Sequence, residues 1–400
     1  MKQTTIWIGA LAVGALFGFW GIGWLTAVLD FIAAVYTRLF QLLAVPTIVL
    51  AVVTTLASLG AQRETGRIFR HALTYTLLTT FAAAGVGLLL YLAVSPGAGV
   101  AMALQQTVQD EVSEAGGGLT WGEHFLSVIP NNVVRPFLEG NVLSLLLLAF
   151  AVGLGLSRLP LTEGKRAVLG LLAGLQELLF LLIRWVVWSL PVGIVAFSAQ
   201  LSAQLSAGTV AGGLGKYVLV VIGGNVIQFF VILPLFLLAR GLNPLHVLGR
   251  MSPAVLTALF TKSSAATLPV TMNTAEQRLG VRREVSRFVL PICTTINMNG
   301  CAAFILVTSL FVMEAGGMEL TLPGMLLWLL IAVVSAVGNA GVPMGCYFLT
   351  FSLMSGIGAP VGVLGAILPI YTIIDMVETA ENVWSDSCVC AMTDRDLSAK

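Results

Sequence analysis

Long apolar stretches, separated by short groups of arginines or by clusters of Gly, Pro and Ser, follow one another along almost the whole chain. The clearest cover residues 7–29, 40–59, 68–94, 168–197, 217–238, 288–313 and 361–389, with a shorter one at 142–156. Each long run reaches the roughly 20 residues that an α-helix needs to cross the hydrocarbon of a bilayer. Over 400 residues, 58% are hydrophobic and only 10% are charged, which excludes an ordinary soluble domain and predicts an all-α polytopic membrane protein. The first run exceeds a signal-peptide core and reaches Asp30 without a small-residue cleavage site, so a single retained helix is expected over 7–29.

Two further apolar segments are broken in the middle. Residues 244–272 are interrupted by Lys262-Ser263-Ser264-Ala265-Ala266-Thr267 before Pro269, and 322–354 by Gly338-Asn339-Ala340-Gly341 before Pro343. Such breaks free backbone N–H and C=O groups, which inside a membrane are tolerated only where protein or a water-filled cavity satisfies them. Two re-entrant hairpins answer that demand. Each precedes a helix with polar residues: the first a segment broken at Asn297-Met298-Asn299-Gly300, the second the last apolar segment. The repetition suggests an inverted repeat with binding sites near the bilayer midplane.

The last segment carries the chemistry. Asp375, Thr379, Asn382 and Asp386 recur at offsets of 4, 7 and 11 from the first, which gathers them within roughly a 60° arc along about 16 Å of helix. An ionised carboxylate at mid-membrane costs on the order of 3 kcal/mol, so this face needs partners or bound cations. Glu378 lies beside it, and Glu381 points about 120° away, as a gate, interface or water-facing residue would.

Charge adds topology. Arg63, Arg67 and Arg70, then Arg158, Lys165 and Arg166, then Arg240 and Arg250, then Arg278, Arg282, Arg283 and Arg287 mark loops expected on the cytoplasmic side. Residues 95–125, with Asp110, Glu111, Glu114 and Glu123 but no Lys or Arg, are expected outside, as are 314–323. Both termini are then cytoplasmic. The net charge of +1 is accounted for by topology, and no nucleic-acid partner is expected. The five cysteines form no CxxC pair and the three histidines lie far apart, so neither metal nor disulfide chemistry is expected.

With these residues in place the chain resembles the dicarboxylate/amino-acid:cation symporter family over nearly its whole length. The markers are Thr261-Lys262-Ser263-Ser264-Ala265-Ala266-Thr267-Leu268-Pro269, Thr295-Ile296-Asn297-Met298-Asn299-Gly300, Gly341-Val342-Pro343, and Asp375-x-x-Glu378-Thr379-x-x-Asn382-x-x-x-Asp386. The resemblance implies eight transmembrane helices plus the two hairpins, divided into scaffold and transport domains, in a homotrimer of the bacterial inner membrane. Residues 1–67 would form scaffold helices 1 and 2, 68–95 transport helix 3, 96–208 the outer loop with scaffold helices 4 and 5, and 209–400 the rest of the transport domain.

It also implies roles. Asp375 would receive a substrate α-ammonium, and Asn382 with backbone at Ser263, Ser264 and Val342 its α-carboxylate, with Thr379 and Cys301 lining the pocket. Sodium, as coupling ion, would take Cys293, Asn297, Asn382 and Asp386 at one site and Thr295, Ala336, Val337 and Asn339 at a second. A third would use Thr79, Thr80, Asn297 and Asn299, where Asn299 replaces the family's Asp and predicts weaker sodium binding. The second departure is Glu378, where members that take acidic substrates carry Arg. Two carboxylates at close range repel strongly in low dielectric, and the Asp-x-x-Glu-Thr pattern resembles the serine/threonine branch. A small neutral amino acid is therefore expected, with an acidic substrate, or a cationic one paired to Glu378, as alternatives. Proton coupling through Glu378 or Glu381 competes with sodium. Lys262 is the expected counter-charge of Glu378 if the first tip approaches the last helix, with a cytoplasm-facing, snorkelling lysine as the alternative. Two other classes compete: a Ser–Lys hydrolase at Lys262 with Ser263 or Ser264, which lacks an oxyanion motif, and a channel.

Overall fold

The computed structural model describes residues 2–61, 66–97, 129–139, 142–205, 210–337 and 344–398, and the regular elements among them are all helical. The first apolar run is not one helix: α1 (Lys2–Trp20) stops and α2 (Gly23–Ala61) restarts. Gly21 sits at φ +59°, the left-handed conformation that ends helices and that only glycine adopts without steric cost. Next come α3 (Gly66–Val94), the short α4 (Arg135–Glu139), α5 (Val142–Arg158) and α6 (Glu163–Leu205). Most of the predicted outer loop lies outside the described residues.

In this first part α1 packs on α6, and α2 on both α5 and α6. The α1–α6 contact is backbone to backbone. A Cβ on Gly14 would fall 2.3 Å from the Val195 carbonyl oxygen and one on Gly18 2.1 Å from that of Ala199, the close approach that small residues four apart allow between membrane helices. Gly18→Ala must push α6 away, and overpacking of this kind costs about 1–3 kcal/mol. A lower thermal unfolding midpoint of the detergent-solubilised protein is expected, with Gly9→Ala, whose Cβ meets nothing, as the unaffected control.

The second part surrounds the last helix. α7 (Val210–Ile227) runs through a π-helical turn, Gln228–Ile232, into α8 (Leu233–Ala239). α9 (Pro244–Thr261) and α10 (Ser264–Thr274) pack against each other across a two-residue turn. A π-helical turn (Ala275–Leu279) leads to α11 (Arg283–Ile296), where Arg287, Ser286 and Arg283 gather on Glu276. The hydrogen bonds from Arg287 and Ser286 hold the Glu276 carboxyl below the usual carboxylate range. α12 (Asn299–Ala315), α13 (Leu322–Val337), α14 (Gly345–Gly356) and α15 (Gly362–Ser398) complete the chain.

Every residue of α12 except Glu314 is buried, as expected of a helix that is apolar all round and enclosed by others. It lies against α3, α7, α13, α14 and α15, while α15 also meets both arms of the α9–α10 pair. Among the described residues, three helical stretches are long and apolar enough to cross a membrane: Gly66–Val94, Gly213–Ala239 and Arg283–Ala315. Large apolar side chains such as Phe19, Trp24, Phe31 and Trp188 point outward, as they do on a surface solvated by lipid.

Candidate functional site

Both chain breaks expected near the site contain backbone that is not helical. Between α11 and α12, Asn297 (φ −100°, ψ 63°) and Met298 (φ −101°, ψ 68°) leave the helical region. Between α9 and α10, Lys262 adopts φ 54° as the C-cap of α9, and Ser263 caps α10 by accepting a hydrogen bond from Ala266 N–H at 3.2 Å. A Thr261–Thr267 hydroxyl bond of 2.9 Å closes this tip. Among the described residues three non-glycines have positive φ: Ser95, Lys262 and Met344. Lys262 lies in the turn between α9 and α10 and Met344 directly precedes α14, and strained backbone of this kind concentrates at ligand clamps and switches. Residues 338–343, which hold Asn339 and Val342, lie outside the described residues.

The polar face of α15 is internal. Asp375, Glu378, Thr379, Asn382 and Asp386 are all buried, although no bilayer-exposed helix face tolerates such a row. Thr379 Oγ1 donates to the Asp375 carbonyl at 2.7 Å and Asn382 Oδ1 accepts from Gly300 N–H at 3.0 Å. Asn382 thus ties α15 to the break before α12. The Lys262 ammonium interacts electrostatically with Asp375. This corrects the expected Lys262–Glu378 pair: the tip of the α9–α10 turn reaches the helix at Asp375, and the charges around Glu378 are the carboxylates Asp375 and Glu381. Glu378 Oε2 accepts from the Tyr371 hydroxyl at 3.4 Å, and its Oε1 has no hydrogen-bond partner among the described residues.

The cysteine expectation is also overturned. Cys301, at the start of α12, forms a disulfide with Cys346, at the start of α14, with Cα atoms 5.6 Å apart. The pair is 45 residues apart in sequence and meets only because α12 and α14 pack, which no short-range spacing rule detects. Cys301 Sγ also accepts a 3.5 Å contact from Asn382 Nδ2. Ser264, just past the tip, is buried.

The candidate ion ligands converge in part. Asn297 Nδ2 donates to Asp386 Oδ1 at 2.9 Å, while Asp386 Oδ2 is buried with no partner among the described residues. Asn297 N–H occupies the Cys293 carbonyl at 2.8 Å, and Asn382 is turned toward Gly300 and Cys301. The third cluster is tighter. Thr80 Oγ1 lies 2.8 Å from Asn299 Oδ1, Thr79 Oγ1 3.2 Å from Asn297 Oδ1, and both hydroxyls also bond carbonyl oxygens of α3. The amide nitrogens of Asn297 and Asn299 both donate to Ser385 Oγ, at 2.9 and 2.7 Å. Two hydroxyls facing four acceptor oxygens leave lone pairs spare, which suits a hard cation. The second set is not assembled among the described residues: Thr295 Oγ1 bonds the Ile292 carbonyl of its own helix at 2.8 Å, although α11 packs on α13, where Ala336 is buried and Val337 half-buried.

Ser385, Tyr371, Cys346 and Met344 belong to the site and were not singled out by sequence. Ser385 lies ten residues after Asp375 and so about 80° from it around the helix, outside the arc of the stripe, which is why periodicity did not single it out. Glu381, expected at a gate, interface or water-facing position, is 0% exposed.

A helical core that buries carboxylates beside two interrupted segments defines a membrane transporter. The chain belongs to the sodium:dicarboxylate symporter family, whose model matches residues 4–396. It is similar to the neutral amino acid transporter B(0) of Bos taurus, with 31% identity over 383 residues, covering 88% of this chain and 70% of the relative. The neutral amino acid transporter A of Homo sapiens is 31% identical over 395 residues, covering 88% and 72%. A putative sodium-dependent excitatory amino acid transporter, glt-4, of Caenorhabditis elegans is 28% identical over 415 residues, covering 92% and 82%.

Proposed function

We propose that the protein is a sodium-coupled symporter of a small neutral amino acid of the serine, threonine or alanine type. The observation that carries this reading is the buried face of α15, where Asp375 and Asn382 meet the α9–α10 tip and the break at Asn297-Met298 with an acidic Glu378 between them. The substrate ammonium takes the place of the Lys262 ammonium at Asp375, a charged acceptor in a low-dielectric site. Asn382 and the backbone at Ser263, Ser264 and Val342 hold the carboxylate. Glu378, with one oxygen unengaged, accepts from a substrate hydroxyl and repels an acidic side chain. The relatives named as neutral amino acid transporters support this choice.

Sodium supplies the charge that lets the buried carboxylates remain ionised. Asp386, Asn297, Asn382 and the Cys293 carbonyl would hold one ion, the Thr79, Thr80, Asn297 and Asn299 cluster a weaker one, and Thr295 with Ala336, Val337 and Asn339 another once 338–343 closes over the site. Adding a carboxylate at Asn299 strengthens the weak cluster: Asn299→Asp is expected to lower the sodium concentration for half-maximal uptake about tenfold, and an unchanged sodium dependence would remove Asn299 from the ion path.

In this reading α9–α10 and α13–α14 are re-entrant hairpins and the architecture is that of eight transmembrane helices in a homotrimer. Residues 1–67 and 96–208 form a scaffold past which 68–95 and 209–400 move as an elevator. The membrane is the bacterial inner membrane, with both termini cytoplasmic. The test is uptake of labelled serine, alanine, aspartate and arginine into proteoliposomes, each driven in turn by a sodium or a proton gradient. Serine or alanine accumulation under the sodium gradient is expected. Aspartate uptake above serine, or accumulation driven only by protons, would overturn the assignment, and arginine uptake would show Glu378 pairing with a cationic side chain instead.

A further inference from the structure

Four buried oxygen atoms on the side of α15 away from Asp375 have no hydrogen-bond partner among the described residues: Glu381 Oε1 and Oε2, Asn225 Oδ1 and Gln228 Oε1. Their residues are between 0% and 2% exposed. Asn225 and Gln228 lie three positions apart, at the end of α7 and the start of its π-helical turn, on elements that pack against α15. Their amide nitrogens are engaged: Asn225 Nδ2 donates to the Val221 carbonyl at 2.8 Å and Gln228 Nε2 to the Thr79 carbonyl at 3.1 Å. Both side chains are thereby oriented with their oxygens left over.

Gly300 makes the convergence possible. A Cβ there would lie 2.8 Å from Asn225 Oδ1 and 2.8 Å from Glu381 Oε2, so the two oxygens are no further apart than twice that distance. Any other residue would occupy the space into which both point. Gln228 bonds the backbone of Thr79, whose hydroxyl faces the neighbouring Asn299 Oδ1. Beside the Gly300 N–H, the described surroundings contribute oxygen acceptors, and the charges that act on Glu381 are those of Asp386 and Glu378, on its own helix.

Apart from the Gly300 N–H, which Asn382 Oδ1 also takes, this buried carboxylate faces amide oxygens without a cation, a costly arrangement unless something occupies it. We infer that Glu381, Asn225 and Gln228 form an additional binding site for a monovalent cation, sodium by its all-oxygen, singly charged donor set. The inference extends the sodium-coupled reading, and rests on it for the ion's part in coupling, but not for its binding.

The experiment counts labelled sodium bound at saturation by the purified full-length protein, in choline-balanced buffer, without substrate. Glu381→Gln is expected to bind one sodium fewer per chain than the wild type, and Asn225→Leu, which keeps the carboxylate and removes the amide oxygen, to need at least tenfold more sodium to fill the same site. Wild-type stoichiometry and affinity in both variants would overturn the proposal and leave Glu381 to a proton. Asp386→Asn separates the two readings: it loses a different ion, so a double variant with Glu381→Gln loses two. If Asp386→Asn binds as many as the wild type while Glu381→Gln binds one fewer, the Asp386 ion site fails and the Glu381 site stands. Should Glu381→Gln not fold, Asn225→Leu alone decides, because unchanged sodium affinity in it is incompatible with the site.

Discussion

Asp375→Asn is expected to abolish sodium-driven uptake and to weaken neutral amino acid binding by at least about 30-fold. The reason is the medium. Asp375 is buried on α15, and the half-buried Lys262 ammonium at the tip of the α9–α10 turn attracts it from one side. Truncating one member of a buried, hydrogen-bonded charge pair, such as Asp375 would form with the substrate ammonium, costs about 2–5 kcal/mol, and the lower bound corresponds to a factor of about 30. Asparagine keeps the shape and loses the charge, leaving Lys262 and the substrate ammonium without an anion. The measurement is calorimetric titration of the purified variant with serine, in sodium, against the wild type. Near-normal affinity would mean that Asp375 serves only to anchor Lys262.

Glu378→Arg is the second large effect, and it changes the identity of what is bound. Glu378 is surrounded by Asp375 and Glu381 rather than by a cation, and one of its oxygens is unengaged. An arginine there meets carboxylates on both sides and presents a guanidinium to the substrate's side chain, the bidentate partner of a second carboxylate. Serine uptake is expected to fall at least tenfold while aspartate, excluded by charge in the parent, becomes a substrate. Competition of unlabelled aspartate against labelled aspartate uptake measures this directly. A variant that rejects both while remaining folded would indicate that the guanidinium is consumed by Asp375 or Glu381.

Much of this arrangement was legible in the sequence because membranes restrict what backbone and charge may do. The breaks at Lys262-Ser263 and Asn297-Met298 follow from Ser, Thr, Asn and Pro placed where an uninterrupted apolar helix would otherwise stand, and the structure leaves the helical region at those residues. The stripe from Asp375 to Asp386 follows from helical periodicity, and its burial follows from cost.

What sequence missed depends on which neighbour a side chain meets. Periodicity placed Glu381 on a different face from Asp375 but gave no account of what covers that face. It is enclosed by α7 and by the start of α12, where Gly300 lets Asn225 come close. The Cys301–Cys346 link joins two helices brought together by packing, and which carboxylate acts on Lys262 depends on where the α9–α10 turn meets α15, which periodicity does not give. The break at Gly21 was hidden inside an unbroken apolar run, since a single glycine with positive φ leaves the hydrophobic pattern intact.

The account rests on one proposed pocket, between the buried face of α15, the α9–α10 tip and the break before α12. An electron cryo-microscopy map of the protein with serine in sodium chloride addresses it most directly. The account predicts serine density between Asp375, Asn382 and the Ser263-Ser264 tip, with ion density at Asp386. Serine density elsewhere, or an Asp375 that faces lipid, would contradict it.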